Sequence, residues 1–248
     1  MIFFDIDGTL IDHASASAAA SLSLYDHFPG KIPFAREQFP AVWEKILNKH
    51  FDRFCRGEIS VWEQRRARTR EVFGNSSLSE SECDSRYRVF MSAYEPHTAA
   101  YEDALPCLER LRGNQLGIIS NGVRDQQIGK LERADLLKYF SVLVFSEDVG
   151  LGKPAPGIFL EACRQAGEDP DVCAHIGDSI EADVVPSRAL GMQAIWLDRL
   201  ASAASEVHAP VISTLHDLGL VLNRHTPTTL SVGAHQNLFT TEDTGAQR

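Results

Sequence analysis

The sequence predicts an α/β fold in which a doubly wound parallel sheet is split by an inserted helical domain. Five short apolar runs are rich in β-branched or aromatic residues, as buried strands are, and they cover 1–6, 116–120, 142–146, 173–178 and 192–198. Helical patterns alternate with the later runs, which is typical of parallel strands joined by crossover helices. Between the first two runs the chain contains only helix-like segments, and these indicate an insertion.

The domain boundaries follow from where each pattern begins and ends. We expect a Rossmann-like core formed by 1–12 and 99–222, interrupted by a helical domain at 13–98. The insertion begins with an Ala/Ser-rich helix from about Ala14 to His27, and its further helices are predicted at 34–54, 59–73 and 78–94. Core helices are predicted at 122–137, 155–167 and 179–191. Residues 223–248 are polar and lack periodicity, which predicts a flexible tail.

Composition and charge disfavour several classes of protein. The chain has 248 residues, 44% apolar and 23% charged, which is ordinary for a globular protein with a sizeable core. A net charge of −10 disfavours binding to a nucleic acid polymer. No apolar stretch is long enough to span a bilayer, and the N-terminus shows no export signal. Five widely spaced cysteines without a CxxC pair indicate reduced thiols, so we expect a cytoplasmic protein. We expect it to be a monomer or a homodimer.

Polar side chains follow the apolar runs where the predicted strands end. They are Asp5 and Asp7 after the first run, Ser120 and Asn121 after the second, Lys153 in the loop after the third, and Asp178 and Asp183 after the fourth. Each group alone has an ordinary explanation as a turn, a helix cap or a solvated loop residue. Ligands of open α/β sheets bind beyond the carboxyl ends of the strands, so the convergence of these groups predicts a functional site there.

The residue types at this edge indicate phosphoryl transfer. Four aspartates can stay ionised together only beside positive charge, and Mg²⁺ suits carboxylate ligands while leaving room for water and a substrate phosphate. Lys153 adds a positive charge, and Ser120 can donate a hydrogen bond to a phosphoryl oxygen. An aspartate can attack phosphorus, and a second one can protonate the leaving alcohol and later deprotonate water. Asp5 and Asp7 are therefore expected to share the chemistry of one reaction.

Four ordered segments resemble the motifs of the haloacid dehalogenase-like hydrolase superfamily. They are DIDGTL at 5–10, IISNG at 118–122, GKPAPGIF at 152–159 and GDSIEAD at 177–183. The resemblance covers the core, and the insertion is similar to the C1-type cap that closes over the site in this superfamily. The dehalogenases of the superfamily lack the second aspartate and need no metal. The presence of Asp7 therefore points to the phosphatase branch.

The resemblance implies a role for each motif residue. Asp5 would be the nucleophile and Asp7 the general acid and base. Ser120, Asn121 and Lys153 would contact the phosphate. Mg²⁺ would be held by Asp5, Asp178 and the backbone carbonyl of Asp7, with Asp183 acting through water or as support. The predicted function is a Mg²⁺-dependent phosphomonoester hydrolase that acts on a 5′-nucleotide or a sugar phosphate through an aspartyl-phosphate. A phosphomutase and a non-catalytic binding protein on the same fold remain alternatives.

One segment of the insertion is unusually basic. Six arginines against two glutamates give 53–70 an excess of four positive charges in an acidic chain. A solvated helix face would explain most of them. The functional interpretation is that Arg65 or Arg68 faces the site and favours an anionic substrate.

Overall fold

The computed structural model describes residues 1–202 and 208–222, and the predicted tail at 223–248 lies outside the described residues. A six-stranded sheet forms the core, and all neighbouring strands run parallel in the order β3-β2-β1-β4-β5-β6. The strands are β1 (Ile2–Phe4), β2 (Leu116–Ser120), β3 (Val142–Phe145), β4 (Ala174–Gly177), β5 (Gln193–Leu197) and β6 (Val211–Ile212). The predicted fold class is confirmed.

Two details of the sheet differ from the expectation. The first strand ends at Phe4, because the chain turns away between Ile6 and Ile11 and replaces ladder bonds with local ones such as Leu10 N–H to the Ile6 carbonyl (2.9 Å). The two-residue strand β6 pairs with β5 at the sheet edge and was not predicted. It is too short to give a periodic sequence signal.

Four of the five α-helices between β1 and β2 form the helical insertion. They are α1 (His13–His27), α2 (Phe39–Cys55), α3 (Val61–Val72) and α4 (Glu80–Tyr94). Ser60 and Ser79 begin α3 and α4 with capping boxes, each closed by a glutamate three residues later. The insertion buries its own apolar cluster, in which Trp43 and Phe90 stack with ring centroids 4.1 Å apart. It is therefore a separately packed unit.

The remaining helices cover both faces of the sheet. They are α5 (Ala104–Arg110), α6 (Arg124–Arg133), α7 (Ser146–Val149), α8 (Pro156–Ala166), α9 (Val185–Ala189) and α10 (Leu218–Val221). Side chains alternate along β1, so Phe4 packs in the cluster that contains Leu108 of α5, and Phe3 packs against Phe159 of α8. None of the helices in 1–202 and 208–222 is long and apolar enough to cross a membrane.

One predicted core helix is divided. Residues 179–191 form a single π-helical turn at Ile180–Val184 followed by α9. Pro186 occupies the first turn of α9, directly after the π-helical turn. The π-helical turn carries Asp183, and the Asp183 carboxylate accepts a hydrogen bond from the Ser179 backbone N–H (3.1 Å). The turn thereby directs this carboxylate toward the sheet edge.

Candidate active site

The carboxyl edge of the sheet and the insertion enclose a cavity of about 830 Å³. All seven polar residues that the sequence predicted at this edge line the cavity: Asp5, Asp7, Ser120, Asn121, Lys153, Asp178 and Asp183. The sheet brings them together because β1, β2 and β4 are neighbours with their carboxyl ends on one side.

Three carboxylates form a cluster that can hold a metal ion. One oxygen from each of Asp5, Asp178 and Asp183 lies within 4.8 Å of the others. Burial raises the pKa of Asp5 to about 6, even though Lys153 opposes the shift. Desolvation within the cavity and the neighbouring Asp5 charge raise the pKa of Asp178 to about 8, although the residue as a whole is exposed. If all three carboxylates were ionised, the cluster would therefore carry more negative charge than Lys153 neutralises.

Lys153 is the cation at the centre of this cluster. Its Nζ donates to Asp5 Oδ1 and to Asp183 Oδ1, both at 2.6 Å, and its side chain is buried. His175 Nε2 lies 2.9 Å from the same Asp183 oxygen. Burial acts to raise the pKa of Asp183, but Lys153 and His175 outweigh it and bring the value to about 2. Asp183 is thus a fixed anion that orients Lys153 toward Asp5.

Gly8 explains how the first and fourth motifs approach so closely. Its φ of +85° lies in the left-handed region, which glycine adopts without strain. A Cβ at this position would lie 2.3 Å from Asp178 Oδ2. The turn after Asp7 therefore requires glycine for both reasons. Arg199 braces the same turn, since it donates to the Thr9 carbonyl (2.7 Å) while paired with Asp103 (2.9 Å).

Asp7 lies apart from the acidic cluster and has its own partners. Lys130 Nζ donates to its two oxygens at 2.7 and 2.6 Å, and Gln127 Nε2 donates to Oδ2 at 3.1 Å. His13 Nδ1 lies 3.7 Å from Oδ1 and 2.7 Å from the Tyr94 hydroxyl. Burial acts to raise the pKa of Asp7, yet Lys130 and His13 lower it to about 2. Asp7 is therefore ionised in this state.

Replacing Lys130 with methionine is expected to raise the pKa of Asp7 and to lower the free energy of unfolding at pH 7 by about 2 kcal/mol. Asp7 has a folded-state pKa of about 2 against an ordinary value of 3.8. Its contribution is therefore complete above pH ~4 and is lost as the pH falls toward 2. Urea unfolding of wild type and Lys130→Met across this range measures the difference. Lys138→Met, which removes an exposed ion pair, is the control, and a Lys130→Met effect no larger than that of the control would contradict the assignment.

Ser120 and Asn121 are held differently from each other. The Ser120 hydroxyl is buried, accepts a hydrogen bond from Gln127 Nε2 (2.9 Å) and donates a long one to the Asn121 carbonyl (3.5 Å). Both side-chain amide atoms of Asn121 bond the backbone of Lys153: Nδ2 donates to its carbonyl (2.9 Å), and Oδ1 accepts from its N–H (2.7 Å). Asn121 thus fixes the loop that carries Lys153. Its predicted contact with phosphate stays a prediction.

The two arginines predicted as specificity residues have different surroundings. Arg68 lines the cavity, whereas Arg65 is not among the lining residues. Arg65 donates to Gln126 Oε1 (2.7 Å) in α6 and so connects the insertion to the core. The orientation of α3, which the sequence does not specify, decides this difference.

Sequence reasoning missed Lys130, Gln127 and the pair of His13 and Tyr94. The signal for the first two was present: Gln127 and Lys130 are three residues apart on α6 and share a helix face with the buried Leu131. Two buried polar residues on an apolar face indicate polar partners. His13 and Tyr94 are 81 residues apart, so only the packing of α1 against α4 brings them together.

Comparisons with known proteins agree with this geometry. A family model described as haloacid dehalogenase-like hydrolase matches residues 1–191. N-acylneuraminate-9-phosphatase of Rattus norvegicus is 30% identical over 80% of this chain and 82% of its own length. Pyrimidine 5′-nucleotidase YjjG of Escherichia coli is 29% identical over 90% of this chain and 98% of its own. These relatives fit the predicted phosphatase branch.

A solved structure shows the same fold. The magnesium-bound HAD-hydrolase YfnB of Bacillus subtilis superposes with a TM-score of 0.74 and 22% identity, covering 90% of this chain and 97% of that one. The predicted superfamily and the predicted class of enzyme are both confirmed. The chain belongs to the haloacid dehalogenase-like hydrolases.

Proposed function

We propose that this chain is a Mg²⁺-dependent phosphomonoesterase that acts on a small phosphorylated metabolite through an aspartyl-phosphate on Asp5. One observation carries the proposal: Asp5 and Asp7 line one cavity with a buried lysine and a metal-competent carboxylate cluster. Relatives that align over most of the chain are phosphatases and a nucleotidase. Asp7 distinguishes the site from a dehalogenase, which would have no use for an acid at that position.

The carboxylate cluster has the properties of a Mg²⁺ site. Its donors are the oxygens of Asp5, Asp178 and Asp183, and hard oxygen ligands are what Mg²⁺ prefers. The raised pKa values of Asp5 and Asp178 reflect repulsion and burial that a divalent cation would relieve. The Asp7 backbone carbonyl is proposed as a further ligand. Bound Mg²⁺ would supply neutralisation of the charge on the transferring phosphoryl group.

The residues of the chain then perform two successive displacements. An Asp5 oxygen attacks phosphorus, and the bond from phosphorus to the leaving oxygen breaks as the aspartyl-phosphate forms. Asp7 gives its proton to the leaving oxygen, and it later takes a proton from the water that attacks phosphorus and releases Asp5. Lys153 and Ser120 bind phosphoryl oxygens. A phosphate dianion beside Asp7 raises the pKa of this aspartate, which opposes the effect of Lys130 and allows Asp7 to carry the proton.

The helical insertion, with proposed boundaries 13–98, is the cap of this site. Several contacts hold it over the sheet edge: the Gly152 N–H donates to the Cys55 carbonyl (3.1 Å), Asn121 Nδ2 to Cys55 Sγ (3.2 Å), Arg65 to Gln126 (2.7 Å), and Gln126 Nε2 to the Tyr87 hydroxyl (3.2 Å). A cap in this position excludes water during the first displacement and contacts the leaving group. Substrate choice therefore depends on the insertion, while the chemistry depends on the core.

Phosphate release from a substrate panel tests the proposed function. The panel comprises 5′-nucleotides, sugar phosphates including N-acylneuraminate 9-phosphate, and 4-nitrophenyl phosphate, each assayed with Mg²⁺ and with EDTA. We expect Mg²⁺-dependent release of phosphate from at least one member. A phosphomutase would instead release little phosphate and respond to a sugar bisphosphate. No turnover in folded, Mg²⁺-binding protein would contradict the proposal and favour a binding protein. A cytoplasmic location and a monomeric or homodimeric state remain predictions.

Mg²⁺ is expected to raise the melting temperature more at pH 8 than at pH 5.5. Asp178 and Asp5, with folded-state pKa values of about 8 and 6, hold protons that the unfolded chain has lost above pH ~4. The metal-free protein therefore loses stability as the pH rises through this range, and metal binding displaces the remaining protons. Thermal unfolding with Mg²⁺ and with EDTA at both pH values measures the effect. Asp178→Asn should reduce the shift, and equal shifts at the two pH values would argue against this cluster as the site.

A further inference from the structure

Arg68 is a buried arginine that faces the cavity from the insertion. It lies on α3 with 4% of its surface exposed and is one of the residues that line the cavity with Asp5. Its guanidinium carbon is 4.9 Å from the centroid of the Trp43 ring and 5.2 Å from that of Tyr87. The guanidinium group is thus within cation–π distance of both rings.

The other lysines and arginines that line the cavity are already paired with carboxylates. Their closest ion pairs are Arg56 with Glu58, Lys130 with Asp7, and Lys153 with Asp5, each at 2.6 Å. Within residues 1–202 and 208–222, Arg68 has no such ion pair, and its buried Nε has no hydrogen-bond partner. Its polar neighbours include the Tyr87 hydroxyl, the like-charged Arg65 and the more distant Glu44. The described residues thus leave this buried cation without a directly paired carboxylate.

We infer that Arg68 binds a carboxylate of the substrate, so that the proposed phosphatase acts on phosphorylated hydroxy acids. The inference rests on the function proposed above. A guanidinium group presents its N–H groups in one plane, which matches the planar geometry of a carboxylate. Glu44 and Asp52 also line the cavity, so a group with one negative charge is favoured over a second phosphate dianion.

A second orphaned group indicates hydroxyl groups on the same ligand. Gln64 lies one helical turn before Arg68 on α3, is 4% exposed and lines the same cavity. In the described part of the chain its buried Oε1 has no donor. A substrate hydroxyl supplies such a donor. The cavity of about 830 Å³ is large enough for a polyhydroxylated chain of several carbons that joins the carboxylate to the phosphate at Asp5.

Matched ligand pairs that differ only in the carboxylate test the inference. The pairs are 6-phosphogluconate with glucitol 6-phosphate, 3-phosphoglycerate with glycerol 3-phosphate, and phosphoglycolate with 2-hydroxyethyl phosphate. Dissociation constants are measured by calorimetry with Mg²⁺ on the full chain carrying Asp5→Asn, so that binding does not depend on turnover. In at least one pair we expect the carboxylate to bind about 10- to 100-fold more tightly than its hydroxymethyl partner.

Variants on α3 assign this preference to a residue. Adding Arg68→Met should bring the ratio of the two dissociation constants within a pair close to one. Arg68→Lys keeps the charge and should retain part of the preference for the carboxylate. Arg66→Met removes another arginine of α3, one that is paired with Asp84 and Glu80 of α4. This variant should leave the ratio of dissociation constants unchanged. Circular dichroism confirms that each variant is folded.

Two results would overturn the inference. One is equal or absent binding of both members in every pair, and the other is a carboxylate preference that persists in Arg68→Met. Failure of the phosphatase function is seen separately, as an absence of phosphate release by the unmodified enzyme. The chain could thus release phosphate without preferring carboxylates, or could bind phosphorylated hydroxy acids without hydrolysing them.

Discussion

Asp5→Asn is expected to lower phosphate release by at least about 10⁴-fold, since an amide oxygen does not replace the carboxylate as a nucleophile. The same change removes one of three clustered carboxylates and leaves Lys153 paired with Asp183 at 2.6 Å. The melting temperature without Mg²⁺ should therefore be unchanged or higher, because the raised pKa of Asp5 shows that its charge is unfavourable there. Steady-state kinetics and thermal unfolding on one preparation measure both effects.

Asp135→Asn is the matched control for this substitution. Asp135 is an exposed aspartate of the core whose side chain pairs with Lys138, far from the lining of the cavity. Its replacement should leave turnover within about two-fold of wild type and change stability by less than 1 kcal/mol. Substantial turnover by folded Asp5→Asn protein would assign the nucleophile to another group.

Lys153→Met is expected to have the largest effect on stability, a loss of about 3–5 kcal/mol in the free energy of unfolding at pH 7 without Mg²⁺. Lys153 is the buried cation between Asp5 and Asp183, and its removal leaves two buried carboxylates without a counter-charge. Mg²⁺ should restore part of this loss, because it binds the same carboxylates. Phosphate release should fall about 10²- to 10³-fold with Mg²⁺ present, since a cation that stabilises the transferring phosphoryl group is lost.

Lys49→Met separates these effects from the loss of any ion pair. Lys49 is 59% exposed and pairs with Glu71 on the surface of the insertion, where solvent weakens the attraction. Its removal should cost less than about 1 kcal/mol and show no dependence on Mg²⁺. If urea unfolding gives equal losses for the two lysine variants, the buried network does not have the role described above.

The proposed substrate class and the proposed mechanism depend on different parts of the molecule. The core contributes the proposed phosphoryl-transfer residues to the cavity, and the insertion contributes Arg68 and Gln64. The two sets can be changed independently, so Arg68 variants should alter ligand preference where Asp5 and Lys153 variants alter turnover. This separation makes the insertion the region in which to look for differences from relatives such as the nucleotidase of Escherichia coli.

Most of the sheet and the core residues of the site could be predicted from sequence because their signals are local. Each of the five predicted strands overlaps an observed one, since a buried parallel strand is a short apolar run. Parallel strands place their carboxyl ends on one edge, so residues distant in sequence, such as Asp5, Ser120 and Asp178, line one cavity. Strand pattern and topology together were enough to locate the site.

How the charges are shared depends on tertiary packing. The sequence did not show that Asp7 pairs with Lys130, that Asn121 bonds the loop of Lys153, or that Arg68 and not Arg65 lines the cavity. These outcomes depend on how α3 and α6 are rotated and packed against their neighbours. Rotation of a helix is set by the sum of many apolar contacts made by distant parts of the chain. The fold and the core residues that line the cavity were therefore predictable from local patterns, whereas packing set their partners and the residue of the insertion that faces them.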